Sequence, residues 1–323
     1  MSRVGAVAVG RNEGERLRLC LQSLAPQVDR LVYVDSGSRD GSPALARSLG
    51  VAVLELDPSR PFSAARGRDE GARWLLGQGP LDHLQFVDAD CLAEPGWVAR
   101  AAEALDRDPS LGLVTGWRRE EDPERNVFHG LLDVEWHGSP GEIAGCGGDM
   151  MVRAGAYLAA GGFDASLVSS EDEEFVLRLR ARTGLRAVRL PLPMTVHDAR
   201  MDRLGQWWRR MVRAGLGFEE VAARFPANHR GERLRAWVYG GAVPGVAGLG
   251  LVAGWPVLLL ALGLWPLNWA RTARGLRGRG LSGRAAGAQA LLLTLAKVPT
   301  LQGMLLYRLR RIGGARPRII EYK

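Results

Sequence analysis

Along residues 1–120 the hydrophobic pattern alternates between two periods. Short apolar runs rich in β-branched residues occupy 4–9, 30–34, 51–54, 84–87 and 111–115. Their length and lack of alternation suit strands buried on both faces of a parallel sheet. Between them, 13–24, 43–49, 64–76 and 95–106 have the texture of helices. Strand–helix alternation predicts an α/β fold on a doubly wound sheet. Ligands of such sheets sit beyond the carboxyl ends of the strands, so the residues that follow each strand carry the functional argument.

Those strand ends are polar. The first leads into Gly10-Arg11-Asn12-Glu13, the second into Asp35-Ser36-Gly37-Ser38 and Asp40-Gly41-Ser42, and the run before residue 90 into Asp88-Ala89-Asp90. Two carboxylates at i and i+2 beyond a buried strand suit a divalent cation, Mg2+ or Mn2+, held against a diphosphate. In isolation the same pair serves a turn in which Asp90 caps the next helix. The Asp35 carboxylate is an acceptor for a nucleobase N–H, or the hinge of an ordinary turn. Arg66 and Arg68 offer guanidinium forks for phosphate or base; singly, they read as solvated helix arginines. The acidic run Glu171-Asp172-Glu173-Glu174 precedes an apolar helix pattern, which makes it a helix N-terminus or a reactive group. His197 closes an extended run, 190–196, as a potential ligand. His129, His137 and His229 read as structural or surface groups.

After about residue 225 the texture changes. Residues 236–270 contain no charged side chain, a run long enough to cross a bilayer, which needs about 20 apolar residues. Pro244, Pro256 and Pro266 divide it, and arginines flank both ends, favouring a hairpin or an in-plane element. A second apolar stretch, 285–309, is interrupted by Lys297 and Pro299 and reads as interfacial. Charge follows the same division: the chain is +8 overall, but 230–323 is +13 and 1–229 is −5. The expected organisation is a catalytic domain over 1–229 and a basic, hydrophobic, membrane-associated helical tail over 230–323. Charges flanking apolar runs favour anionic lipid over nucleic acid as the tail's partner. Three cysteines, widely spaced and without a CxxC pair, fit a reducing compartment. The opening residues lack the apolar run of a signal peptide, so the catalytic domain is expected on the cytoplasmic face of the inner membrane.

Taken together, these motifs resemble the family-two inverting glycosyltransferases of GT-A fold, from Val4 to about Arg210. The resemblance rests on Arg11-Asn12-Glu13, Asp35-Ser36-Gly37-Ser38, Ala65-Arg66-Gly67-Arg68-Asp69-Glu70-Gly71 and Asp88-Ala89-Asp90. It continues through Gly147-Gly148-Asp149 with Arg153, Gly161-Gly162-Phe163-Asp164, Glu171-Asp172 with Glu174, His197, and Gln206-Trp207-Trp208-Arg209-Arg210. It implies nucleotide-sugar contacts from Arg11, Glu13, Asp35, Arg66, Arg68, Asp88 and Asp149. In the same way it implies that Asp90, with His197, holds a divalent metal and that Asp172 is the general base. Gln206, Arg209 and Arg210 are placed by it on the acceptor or diphosphate side. Two departures stand out: Asp69 occupies a position where the family often has Asn, and Arg210 replaces a Trp of membrane synthases, so processive polymerisation is not implied. The implied activity is transfer from a nucleotide-diphosphate sugar, a UDP-sugar by preference, to a lipid-linked or glycan acceptor.

Two other functions compete. A sugar-phosphate nucleotidyltransferase would want a Gly-rich, Lys-containing phosphate loop after strand one, and Gly10-Arg11-Asn12-Glu13 lacks it. A non-catalytic membrane scaffold would not need Asp35, Asp88, Asp90, Asp172 and His197 together.

Overall fold

Strand β1 (Val4–Gly10) is buried on both faces. Val7 and Val9 enter one apolar cluster, while Ala8 between them enters another, as the two-residue period of a strand requires. The same double burial recurs in β2 (Arg30–Asp35) and β4 (His83–Asp88), which pair with β1 in parallel; β3 (Ala52–Glu55) extends β2. The remaining strands are β5 (Cys91–Ala93), β6 (Leu111–Glu120), β7 (Gly141–Glu142), β8 (Met150–Arg153) and β9 (Arg186–His197). The computed structural model describes residues 2–253 and 255–314, and the side chains among them outside 251–262. These residues form two units, one of 2–121 with 133–199 and one of 122–132 with 200–314.

In the first unit the nine strands form one sheet of order β3-β2-β1-β4-β8-β6-β9-β5, with β7 paired to β9. The sheet is mixed where the hydrophobic pattern suggested parallel strands alone. β8 runs antiparallel to both β4 and β6, and β5 and β7 run antiparallel to β9. Two reversals restore direction, so β6 and β9 point the same way as β1, β2 and β4. Register then fixes one edge: Gly10 lies beside Asp35, Val9 beside Asp88, Phe86 beside Met150, and Glu120 and Cys91 beside His197.

Helices cover both faces. α1 (Glu15–Leu24) and α2 (Ser42–Ser48) pack on the cluster containing Ala8 and Tyr33. α3 (Ala64–Gly77) covers the opposite face, and α4 (Trp97–Arg107) packs through Trp97, Val98, Ala101 and Leu105. The elements expected over residues 1–120 are all present, and the main departure is that β6 runs on to Glu120. α5 (Val127–Trp136) is followed by α6 (Ala154–Ala160) and α7 (Glu171–Thr183). The last packs Phe175, Val176 and Leu179 into the α3 side, each such burial contributing about 1.5–3 kcal/mol.

The second unit contains α8 (Leu204–Arg224), α9 (Arg230–Trp237), α10 (Val243–Ala253), α11 (Trp255–Arg277), α12 (Gly283–Leu295) and α13 (Lys297–Ile312). α8 and α13 touch at reciprocal glycines: a Cβ on Gly215 would lie 2.0 Å from Thr300 O, and one on Gly303 2.0 Å from Val212 O. Glu219 of α8 holds Arg233 of α9 and Arg308 of α13, each at 3.0 Å. The apolar run 236–270 is divided among the end of α9, a π-turn at Val238–Ala242, α10 and α11. Residue 254 and the side chains of 251–262 lie outside the described residues. Among the described residues, Gly283–Ile312 is the stretch whose length and composition suffice to cross a membrane, with half of it buried within the structure. The sequence pattern had suggested an interfacial segment there.

Candidate active site

The polar edge of the first unit starts at β2. Asp35 is buried and accepts from Tyr33 Oη at 2.7 Å, Gly37 N at 2.9 Å and Ser38 N at 2.8 Å. The loop after β1 is stitched to this turn, with Asn12 N donating to Ser38 Oγ at 2.9 Å and Arg39 N to Asn12 Oδ1 at 2.7 Å. Arg11 is exposed beside it. Glu13 pairs with Arg16, whose guanidinium also lies 3.8 Å from Asp90 Oδ2.

Asp88 ends β4 and is gripped by two arginines. Arg68 Nη2 of α3 donates to its Oδ1 at 2.5 Å, and Arg118 Nη2 of β6 to its Oδ2 at 3.1 Å. Arg68 also donates to Glu171 Oε1 at 2.6 Å, at the first residue of α7. Burial alone would lower the Arg68 pKa; Asp88 and Glu171 outweigh it and hold the group above its ordinary value. Arg118 follows the same logic, burial being overcome chiefly by Asp149.

Asp149 is fully buried below this pair. Its Oδ1 accepts Asp88 N at 2.9 Å, and its Oδ2 accepts Thr195 Oγ1 at 2.7 Å and Arg118 Nε at 3.1 Å. It therefore positions Asp88 and Arg118. The glycine before it is required: Gly148 has φ +100°, and a Cβ there would lie 2.3 Å from Arg68 Nη2. Arg66 is likewise committed internally, to Glu70 at 2.7 Å and to the carbonyls of Asp57 and Arg60 at 2.9 Å. Asp69 accepts from Tyr157 Oη at 2.6 Å and Phe163 N at 3.2 Å.

Asp90 and His197 meet as the parallel register of β6 and β9 and the antiparallel β5 dictate. Asp90 Oδ2 and His197 Nε2 are 3.2 Å apart, both side chains buried. That is near the ~3 Å separation of two adjacent donors on one octahedral ion with ~2.1 Å bonds. The Glu120 carboxylate lies 4.0 Å from His197 Nδ1, on the far side of the ring from Asp90. The donor set, oxygen plus imidazole, suits a hard to borderline divalent metal. Cys91 lies within the same group, but burial pushes its thiol pKa up and keeps it protonated.

Asp172 stands in the first turn of α7, where its Oδ2 accepts Cys146 N at 2.8 Å and Gly147 N at 2.7 Å. It is half-buried, whereas Glu171 and Glu174 are buried and tied to Arg68 and Arg178. Gln206, Arg209 and Arg210 lie on α8, in the second unit. Gln206 caps that helix, its Oε1 accepting Asp202 N and Arg203 N at 3.0 Å.

The sequence reading missed Arg118, Glu120, Thr195 and Trp136. Arg118 lies 5.4 Å from the Trp136 ring centre, and Trp136 meets the His197 ring edge-on at 4.9 Å. The strand period was the available signal: in 117–120 burial alternates, with Arg118 and Glu120 inward and Arg119 exposed.

A mixed α/β sheet with acidic loops gathered at one edge is the GT-A glycosyltransferase fold. Residues 7–150 match the model of glycosyl transferase family 2. Across the fold the chain is similar to a mannosyltransferase, PcManGT from Pyrobaculum calidifontis, solved with GDP-Man and Mn2+. The TM-score is 0.61 at 18% identity, covering 94% of this chain and 87% of that one. In sequence it is 40% identical over 141 residues to a TPR repeat-containing protein of Synechococcus elongatus, covering 43% of this chain and 33% of that protein. It is 27% identical over 215 residues to the succinoglycan biosynthesis protein ExoA of Rhizobium meliloti, covering 61% and 64% respectively. The chain thus spans a third of the first relative and just under two thirds of the second.

Proposed function

We propose that this chain transfers a sugar, with inversion, from a nucleotide-diphosphate donor to an acceptor hydroxyl in polysaccharide or glycolipid synthesis. A UDP-sugar is the donor proposed. The observation that carries the reading is the meeting of Asp35, Asp88, Asp90 and His197 at one strand edge, near the α7 N-terminus that bears Asp172. Asp35 receives the nucleobase and Asp88 the ribose side of the donor. Asp90 and His197 hold a divalent ion, Mg2+ or Mn2+, which when bound neutralises charge on the departing diphosphate. Asp172 takes the acceptor proton. Its exposure, greater than that of Glu171, and its place at a helix N-terminus support that choice. Asp149 and Arg66 support the site from below, and Arg11 and Glu13 border the donor loop.

The tail is proposed to bind anionic membrane and bring the catalytic domain to a lipid-linked or glycan acceptor at the cytoplasmic face. Support comes from exposed Trp237, Leu249, Leu267, Trp269, Leu309 and Ile312, which share the second unit with exposed Arg271, Arg274 and Arg277. A donor panel tests the activity: purified protein with Mn2+ or Mg2+, several UDP- and GDP-sugars, and nucleotide release as readout. Release with no sugar nucleotide in either metal refutes the reading.

A further inference from the structure

We infer that Glu120 is a positioning residue for the metal centre, fixing which nitrogen of His197 carries the ring proton. The inference rests on the proposed metal role of Asp90 and His197.

Glu120 and His197 are register partners at the ends of β6 and β9. The His197 ring is held between two carboxylates. Asp90 Oδ2 lies 3.2 Å from Nε2, and Glu120 Oε2 lies 4.0 Å from Nδ1, with all three side chains buried. Nδ1 makes no hydrogen bond to the described residues, and a small rotation of either side chain brings it within reach of Glu120. Glu120 is itself anchored: its Oε1 accepts Ala199 N at 3.2 Å, and its own N–H donates to Asp133 Oδ1 at 3.0 Å. Trp136, edge-on to the ring at 4.9 Å, limits how far the imidazole can turn.

The chemistry follows from the two spacings. A bare Nε2 and a carboxylate oxygen at 3.2 Å repel unless a proton or a cation lies between them. A proton held on Nδ1 by Glu120 leaves the Nε2 lone pair facing Asp90, which is the tautomer a cation needs. Histidine ligands commonly donate their other N–H to a carboxylate, and loss of that partner weakens metal binding by roughly 10–100-fold. The most informative substitution is Glu120→Gln. Its amide oxygen keeps Ala199 N, which turns the NH2 toward Nδ1. Two donors then face each other unless the ring proton moves to Nε2, into the space between His197 and Asp90.

The test is titration of the full chain with Mn2+ alone, following the electron paramagnetic resonance signal of the free ion. Wild type, Glu120→Gln, His197→Ala and the double variant are compared. Glu120→Gln is expected to bind Mn2+ about 10–100-fold more weakly, and to add nothing in the His197→Ala background. The ring nitrogens of wild-type His197, one of five histidines, are read by 15N spectroscopy with Mg2+ bound, with Nδ1 expected protonated and Nε2 bare. Affinity within twofold of wild type in Glu120→Gln overturns the inference, as does an equal loss in the His197→Ala background, or a proton on Nε2. The spectrum needs no variant, so a folding defect in Glu120→Gln does not shield the idea. If wild type fails to bind Mn2+, or His197→Ala binds it normally, the metal reading itself falls.

Discussion

Asp149→Asn distinguishes a residue that touches the proposed donor from one that holds the residues proposed to do so. The wild-type carboxylate has 0% exposure and serves three donors: the Asp88 amide at 2.9 Å, the Thr195 hydroxyl at 2.7 Å and the Arg118 guanidinium at 3.1 Å. Asparagine retains one acceptor oxygen and sets an NH2 against another donor. It also leaves Arg118 with Asp88 as its remaining carboxylate of this pair, at 3.1 Å. Removing one partner from a buried ion pair costs about 3–5 kcal/mol. Because Asp88 remains, the expected loss is at the lower end, about 3 kcal/mol. Domains are typically stable by about 5–15 kcal/mol, so the variant still folds. Its Tm should fall by roughly 6–12 °C, at about 2–4 °C per kcal/mol. The assay is urea unfolding followed by tryptophan fluorescence, with Arg186→Gln as the comparison. Arg186 pairs with Asp108 at 2.8 Å with both side chains more than 40% exposed, and its loss should cost under about 1 kcal/mol. Equal, small losses in both variants, with nucleotide affinity lost in Asp149→Asn, would show that Asp149 contacts the ligand and would refute the argument.

Asp172→Asn keeps an oxygen for Cys146 N and Gly147 N, so nucleotide and metal binding should stay near normal while transfer falls by about 10²–10⁴; normal transfer removes the base from this position. Gly148→Ala should cost at least about 1–3 kcal/mol from backbone strain and loosen Arg68 from Asp88, whereas Gly147→Ala, at φ +76° with open space around its Cβ, meets the strain without the clash. Comparable Tm losses in the two would count against the Arg68 contact. The full chain should float with anionic liposomes and much less with neutral ones, at roughly 1 kcal/mol per arginine near the surface; equal recovery in both would remove the electrostatic part of the tail's role.

Much of the strand edge was legible because buried strands are uniform in sequence and the chemistry begins where uniformity stops. Asp35, Asp88 and His197 are each the last residue of a strand, which is why hydrophobic runs located them. The pattern was less useful where polar residues continue a strand. Trp117-Arg118-Arg119-Glu120 lies beyond the apolar run 111–115, yet it prolongs β6, and it supplies both Arg118 and Glu120. Arg66 shows the converse. A guanidinium on a helix near a polar strand edge looks free in sequence, but the 57–60 loop brings two carbonyls to it, and no local pattern announces that. The antiparallel insertion of β8 was invisible for a related reason: three apolar residues and an arginine carry no mark of direction.

Arg68 has a consequence for how this protein tolerates change. One guanidinium serves Asp88, on a strand end, and Glu171, beside the residue proposed as base. Positions 88 and 171 are far apart in sequence, yet neither is energetically independent, since each sees the other through the shared cation. Effects of substitutions at 68, 88 and 171 should therefore fail to add, by the 0.5–3 kcal/mol typical of contacting groups. A neutral replacement at 68 takes its cation from Glu171 and leaves Asp88 with Arg118, while one at 88 or 171 leaves each cation a second acid. Drift in sequence at this corner is thus lopsided: the two acids can vary one at a time, but loss of the arginine calls for a change at 171 with it.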